Sequence, residues 1–170
     1  MSKRRLYWPS LLLLALMVLA PGPVAAAFLQ ETLDNDFPYE ISAAADSGKN
    51  LILMFHRTGC PYCDKMRDRV FPNKTVDAYF SDKFVLLQTN MRGDLDVVTP
   101  EGEAMDEKAF ARKMRVRATP VLVFFDTEGK EVLRYTGYLA PEQFILAGTY
   151  VRDKVYDQGV SFFRYLKDQK

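Results

Sequence analysis

Cys60-Pro61-Tyr62-Cys63 constrains this chain more than any other stretch, because it holds the only two cysteines and sets them three positions apart. An uninterrupted apolar run, Leu51-Ile52-Leu53-Met54-Phe55, precedes it, and a helix-like run from Asp64 to Val70 follows. The apolar run reads as a strand buried on both faces of a sheet, with His56 to Gly59 as the connecting loop. A strand-to-helix junction of this kind sets the first sulfur at a helix N-terminus. Unpaired backbone N–H groups and the positive dipole end there favour thiolate over thiol. Pro61 suits the first helical position, where a missing N–H costs nothing. Cys63 then lies one turn along the same face, within disulfide reach of Cys60.

The first 27 residues read as a leader rather than as part of the fold. Lys3, Arg4 and Arg5 form a positive n-region, Leu11 to Ala20 an apolar h-region, and Pro21-Gly22-Pro23 a break. Ala25-Ala26-Ala27 offers the small residues of a cleavage site, expected after Ala27. The alternative, an uncleaved anchor, needs roughly 20 apolar residues, more than the h-region supplies. The domain proper is therefore expected over residues 28–170. The leader holds three basic and no acidic residues, so the 23 basic and 22 acidic residues of the whole chain become 20 and 22. A net charge of about −2 gives no reason to expect nucleic acid or an anionic membrane as partner. Export implies an oxidising compartment, yet both cysteines are spent on one short motif. There is no disulfide framework, so stability must come from an apolar core. Length allows one domain.

Along the rest of the chain, Phe37, Tyr39, Ile41 and Ala44 suit one face of a short helix ended by Gly48, after a loop at Asp34-Asn35-Asp36. Pro72 kinks or ends the helix that follows the cysteines, and Asn73 caps the next, with Val76, Tyr79 and Phe80 buried. Phe84 to Thr89 is a second central strand. Met91 to Glu107, with Gly93, Pro100 and Gly102, is long for a connection and reads as a partly ordered insertion leading into a helix to Met114. Pro120 opens the strand Val121 to Phe125, since it has no N–H to give the sheet. Thr127-Glu128-Gly129-Lys130 turns the chain into a returning strand, Glu131 to Tyr135. Pro141 opens a helix carrying Phe144, Ile145, Gly148 and Val151. A terminal helix over Val160 to Lys170 is expected to pack through Phe162, Phe163 and Tyr165 or Leu166. Strands alternating with helices, then a hairpin, indicate an α/β three-layer sandwich.

This pattern resembles the thioredoxin superfamily over roughly residues 37–155. The match rests on the strand–Cys-Pro-Tyr-Cys–helix unit, Thr119-Pro120 before a strand, the hairpin, and Gly137 after it. The resemblance implies a thioredoxin fold with a central mixed sheet, an insertion before the cis-proline strand and an extra C-terminal helix. It also implies a cis Thr119–Pro120 bond against the active-site disulfide, with Thr119 offering backbone groups to a substrate peptide. Gly59-Cys60-Pro61-Tyr62-Cys63, Arg134-Tyr135-Thr136-Gly137-Tyr138 and Tyr165-Leu166 are similar to the periplasmic thioredoxins of bacterial sulfur-oxidation (Sox) systems. Thioredoxins proper have tryptophan where Gly59 stands, Gly-Pro where Pro61-Tyr62 stands, and a buried acid where Met54 stands.

Cys60 is expected to be the exposed, attacking sulfur and Cys63 the buried, resolving one. A purely structural disulfide is disfavoured, because closing so short a loop gains little entropy. Zinc is disfavoured because the two cysteines and His56 make three ligands at best. Covalent haem would need histidine where Asp64 stands. No cofactor is expected. His56, the single histidine, is a candidate modulator of the thiolate, against a plain loop-end role. Arg57 and Lys65 could add positive potential, and Tyr62 shape the contact surface. The reading is a periplasmic thiol–disulfide oxidoreductase, acting as a reductant. Its implied partners are oxidised periplasmic proteins and, as electron source, a membrane thiol transporter. A monomer is expected. The alternatives are a disulfide-donating oxidase or isomerase, and a non-enzymatic carrier of the same shape.

Overall fold

A computed structural model describes residues 26–30 and 35–169. The leader expected over residues 1–27 lies outside these, except for Ala26 and Ala27, and so does Asp34 of the expected loop. Four strands form the main sheet: β1 (Asn50–His56), β2 (Phe84–Asn90), β5 (Val121–Phe125) and β6 (Glu131–Thr136), in the order β2-β1-β5-β6. β1 and β2 run parallel, and the β1–β5 and β5–β6 pairs are antiparallel. The sheet is therefore mixed. Phe55 pairs with Val121 and with Thr89, and Val121 pairs with Thr136. The ends of β1, β2 and β6 and the start of β5 thus meet at one end of the sheet.

Alternation along the strands divides the core in two, because successive side chains point to opposite faces. Leu51, Leu53, Phe55 and Val123 pack beneath α1 (Phe37–Asp46) and α4 (Glu107–Lys113), through Phe37, Ile41 and Phe110. Ile52, Met54, Leu86, Leu122 and Phe124 face the opposite layer. That layer comprises α2 (Pro61–Lys65), a π turn (Met66–Val70), α3 (Lys74–Phe80), α5 (Pro141–Arg152) and α6 (Phe162–Asp168). This is a three-layer α/β sandwich of thioredoxin type, with the extra C-terminal helix that the sequence suggests. Among the described residues no helix is long and apolar enough to cross a membrane.

Four local expectations change. The stretch 91–107 is an ordered hairpin, not a partly ordered insertion. It comprises β3 (Asp96–Val98) and β4 (Ala104–Asp106), paired with each other, and Val98 also bridges Asp36. The redox helix is not a plain α-helix, since the Phe71 amide reaches back to the Met66 carbonyl and makes a π turn. In α6, Phe162 is buried beside Tyr135 and Tyr150, whereas Phe163 is 75% exposed. The two are one position, about 100°, apart on the helix, so both cannot face the core.

The fourth change concerns the segment near the expected cleavage site. Phe28 is fully buried, with ring centroids 5.7 Å from Phe71 and 5.2 Å from Phe80. Phe28 and Gln30 exchange backbone hydrogen bonds with Leu86, extending the sheet beyond β2. Ala26 is buried, and the Ala27 amide donates to Asp77 Oδ1 at 2.9 Å. Sequence patterning did not mark 26–30 as core, because one aromatic beside a loop carries no periodicity.

Candidate functional site

Cys60 is the N-cap of α2, in extended conformation, and Pro61 is the first helical residue. Gly59, immediately before it, has φ +67°, in the left-handed region that disfavours side chains; that is a local reason for glycine here. Cys60 and Cys63 form a disulfide, with Cα atoms 5.3 Å apart. The Cys63 amide donates to Cys60 Sγ at 3.2 Å, an N-cap bond made by sulfur. The end-on meeting of β1 and β5 brings the Thr119-Pro120 step to the same sulfur. The Thr119–Pro120 bond is cis, and the Thr119 hydroxyl donates to Cys60 Sγ at 3.2 Å.

Two N–H and O–H donors therefore converge on Cys60 Sγ. In the reduced state, donors aimed at a sulfur favour its charged form. Cys60 is not the exposed sulfur the sequence suggests: it is 2% exposed and Cys63 is 0%. The Thr119 hydroxyl sits over one side of it and the helix start over the other. Tyr62, between the cysteines, is 59% exposed and Thr119 half-buried, so these are the accessible side chains beside the sulfurs. Gly137, after β6, donates its amide to the Pro120 carbonyl, which sets Tyr138 beside that loop. The Lys65 ammonium lies 4.2 Å above the Tyr138 ring.

Met54 is completely buried beneath the redox helix, opposite Gln88 on β2 and Leu122 on β5. At Met54 there is no carboxylate. The polar feature on this face is the Gln88 side chain, whose Oε1 accepts from Arg67 Nε at 2.8 Å. Arg67, one turn beyond Cys63, also pairs with Asp64 at 3.2 Å. Sequence reasoning missed this pair, although the four-residue spacing from Cys63 would have placed Arg67 beside the motif. His56 ends β1 on the same face, half-buried. Burial holds its proton affinity below the ordinary value, and the Arg67 charge adds to that; Glu107 and Asp64 oppose.

Glu107 was likewise not singled out. It is buried at the start of α4, where its Oε1 accepts from the Thr89 hydroxyl at 2.9 Å and the Asn90 amide at 2.7 Å. It ties the hairpin and α4 to the end of β2. Arg57 lies on the redox loop, with one guanidinium nitrogen 3.5 Å from the Thr58 and Gly59 carbonyls. Among the described residues, no three His, Cys, Asp or Glu side chains come together in a way that could hold a metal ion.

A family model described as a thioredoxin-like domain matches residues 37–152, more than half of the chain. The thiol:disulfide interchange protein DsbD of Pectobacterium atrosepticum is 30% identical over 105 residues, covering 61% of this chain but only 16% of that protein. The chain thus spans a small part of its curated relative. Among solved structures, a thioredoxin from Thermus thermophilus is 27% identical, with a TM-score of 0.54, covering 73% of this chain and 87% of that one. A thioredoxin-fold protein from Helicobacter pylori shares the fold at a TM-score of 0.58 and 21% identity, covering 76% and 91%.

Proposed function

The chain belongs to the thioredoxin-like domain family, and from that premise we propose that it is a periplasmic thiol–disulfide oxidoreductase that reduces disulfides in partner proteins. Convergence of the Cys63 amide and the Thr119 hydroxyl on Cys60 Sγ carries this reading, because it singles out one sulfur as the stabilised thiolate. The reduced Cys60 thiolate attacks one sulfur of a partner disulfide. A bond forms between the two proteins, and the partner's other sulfur leaves as a thiolate and takes up a proton. Cys63 then loses its proton and attacks Cys60 Sγ. This closes the Cys60–Cys63 bond and releases the partner's second sulfur as a thiolate, which is protonated in turn. The partner gains two electrons and two protons, and the dithiol loses them.

Thr119, Pro120 and Tyr62 form the face on which the partner's chain lies. His56, whose proton affinity is lowered chiefly by burial, modulates proton movement near the pair. The leader over residues 1–27 directs export, and the chain works as a monomer. A membrane thiol transporter is the electron source in this reading, and similarity to thiol:disulfide interchange proteins supports disulfide exchange as the chemistry. In this reading its partners belong to sulfur oxidation, which the resemblance to Sox-associated thioredoxins supports, or to cytochrome c maturation.

The donors on Cys60 also favour a second reading, a disulfide donor, because stabilising the thiolate stabilises the reduced form. A redox titration separates the two. A midpoint near that of thioredoxin, about −270 mV, supports the reductant; one near −120 mV overturns it in favour of the oxidant. Dithiothreitol-driven insulin reduction tests the chemistry itself, and absence of turnover above background leaves only a carrier. A Cys63→Ser variant is expected to accumulate mixed disulfides through Cys60. If Cys60→Ser accumulates them instead, the two roles are reversed.

A further inference from the structure

We infer that the rim around the disulfide is a docking surface for an acidic segment of the partner polypeptide, one that carries Asp or Glu next to its own disulfide. The inference rests on the proposed exchange reaction and names the class of partner it serves. Its basis is the distribution of charge at one end of the sheet.

Three cations flank the redox pair on two sides, and a fourth stands further back. On the redox-loop side, Arg57 lies against the carbonyl of Gly59, the residue before Cys60, and Lys65 lies on the Tyr138 ring beside the proline loop. On the other side, Arg117 lies in the loop entering β5, two residues before Thr119, whose hydroxyl touches Cys60 Sγ, and Arg115 stands further back, lining a hollow with Lys113, Met114 and Arg134. Arg115 and Arg117 are both exposed, and neither makes an ion pair among the described residues. By contrast, the neighbouring Lys113 is taken up by Glu101 and Glu103, and Arg134 by Glu131. The carboxylate on the redox helix at this rim, Asp64, is itself paired with Arg67.

The chain without its leader carries 20 basic and 22 acidic residues, so these cations are not part of a general positive charge. A one-sign rim around a reactive group raises the encounter rate with oppositely charged segments and repels like-charged ones, and both effects weaken as salt screens them. Tyr62 stands exposed within the rim and supplies an uncharged contact. Selection therefore resides in the cations and not in the sulfur chemistry, which is the same for every disulfide.

The test uses three disulfide-bridged peptides with one ring sequence, flanked by Asp and Glu, by Lys, or by neutral residues, each with a fluorophore and quencher across the bridge. The reduced chain over residues 28–170 is mixed with each peptide in single turnover. At low ionic strength the acidic peptide is expected to react about tenfold faster than the basic one. At 0.5 M salt the difference is expected to shrink to about twofold or less. In an Arg115→Glu/Arg117→Glu variant with an unchanged circular dichroism spectrum, the preference is expected to vanish or invert. The salt series on the unmodified chain stands even where that variant fails to fold. Equal rates at every ionic strength, or faster reaction with the basic peptide, overturn the inference and leave the exchange reaction standing. Retention on phosphatidylglycerol vesicles without any peptide preference assigns the rim to a lipid surface and also overturns it. Failure to reduce any of the three peptides removes the proposed function, and the inference with it.

Discussion

At the scale of single residues, Thr119 and His56 set the conditions at the redox pair by different means. Thr119 acts through one hydrogen bond to Cys60 Sγ. Valine has nearly its shape but no hydroxyl, so Thr119→Val removes the donor with little change in packing. In a Cys63→Ser background, the alkylation rate of Cys60 by iodoacetamide at neutral pH is expected to fall about three- to tenfold, roughly the worth of one ordinary hydrogen bond. An unchanged rate would show that the hydroxyl does not favour the thiolate. His56 acts through charge. Burial, and then the Arg67 guanidinium, hold its folded-state proton affinity below the ordinary 6.5. The unfolded chain therefore binds the proton more readily. Its stabilising contribution is complete above about pH 6.5 and is lost as the pH falls from there through the lower folded value. Denaturant midpoints of the natural chain are expected to drop more steeply on acidification below pH 6.5 than those of His56→Gln. Parallel curves would remove His56 from the pH response.

At the scale of elements, the decisive junction is the one between β2, the hairpin and α4. Gly93 passes so close to Glu107 that a Cβ there would collide with the carboxylate and press on the Asn90 side chain. The Gly93 carbonyl also accepts the Lys108 amide, and the Leu95 carbonyl the Glu107 amide. Gly93→Ala is expected to displace the carboxylate and leave the Thr89 hydroxyl and Asn90 amide without their acceptor. The cost is about 1–3 kcal/mol, measured by urea unfolding. A variant as stable as the natural chain would mean that this carboxylate can shift without loss. In sequence this region reads as an insertion of limited order because it is polar, long for a connection and broken by Gly93, Pro100 and Gly102. The order of its two strands comes from pairing with one another, from the bridge to Asp36 and from Glu107, none of which has a local signature. The π turn in the redox helix is of the same kind, since no residue at Met66 to Val70 announces it.

For the whole molecule, the aromatic core facing the redox helix joins segments from both ends of the chain. Phe80 and Phe144 stack at 4.2 Å, and Phe28 packs on the same group from beyond the edge of β2. Phe28→Ala is expected to cost about 3–5 kcal/mol, read from thermal or urea unfolding; a loss below about 1 kcal/mol would mean that residues 26–30 are not an integral part of the fold. Sequence by itself determined the strand–Cys-Pro-Tyr-Cys–helix unit, the order of the major strands and helices, and the chemistry of the pair. Those follow from local spacing, proline placement and runs of apolar residues, which act over a few positions. Only the tertiary structure decided which groups surround the sulfurs. Thr119 reaches Cys60 across 59 positions, Arg67 reaches Gln88 across 21, and the closed packing of this face buries Cys60 nearly as deeply as Cys63. The apolar burial that drives the chain together is not directional. Which loops meet at one end of the sheet is set by strand register and by the packing of whole layers, and no local pattern records that.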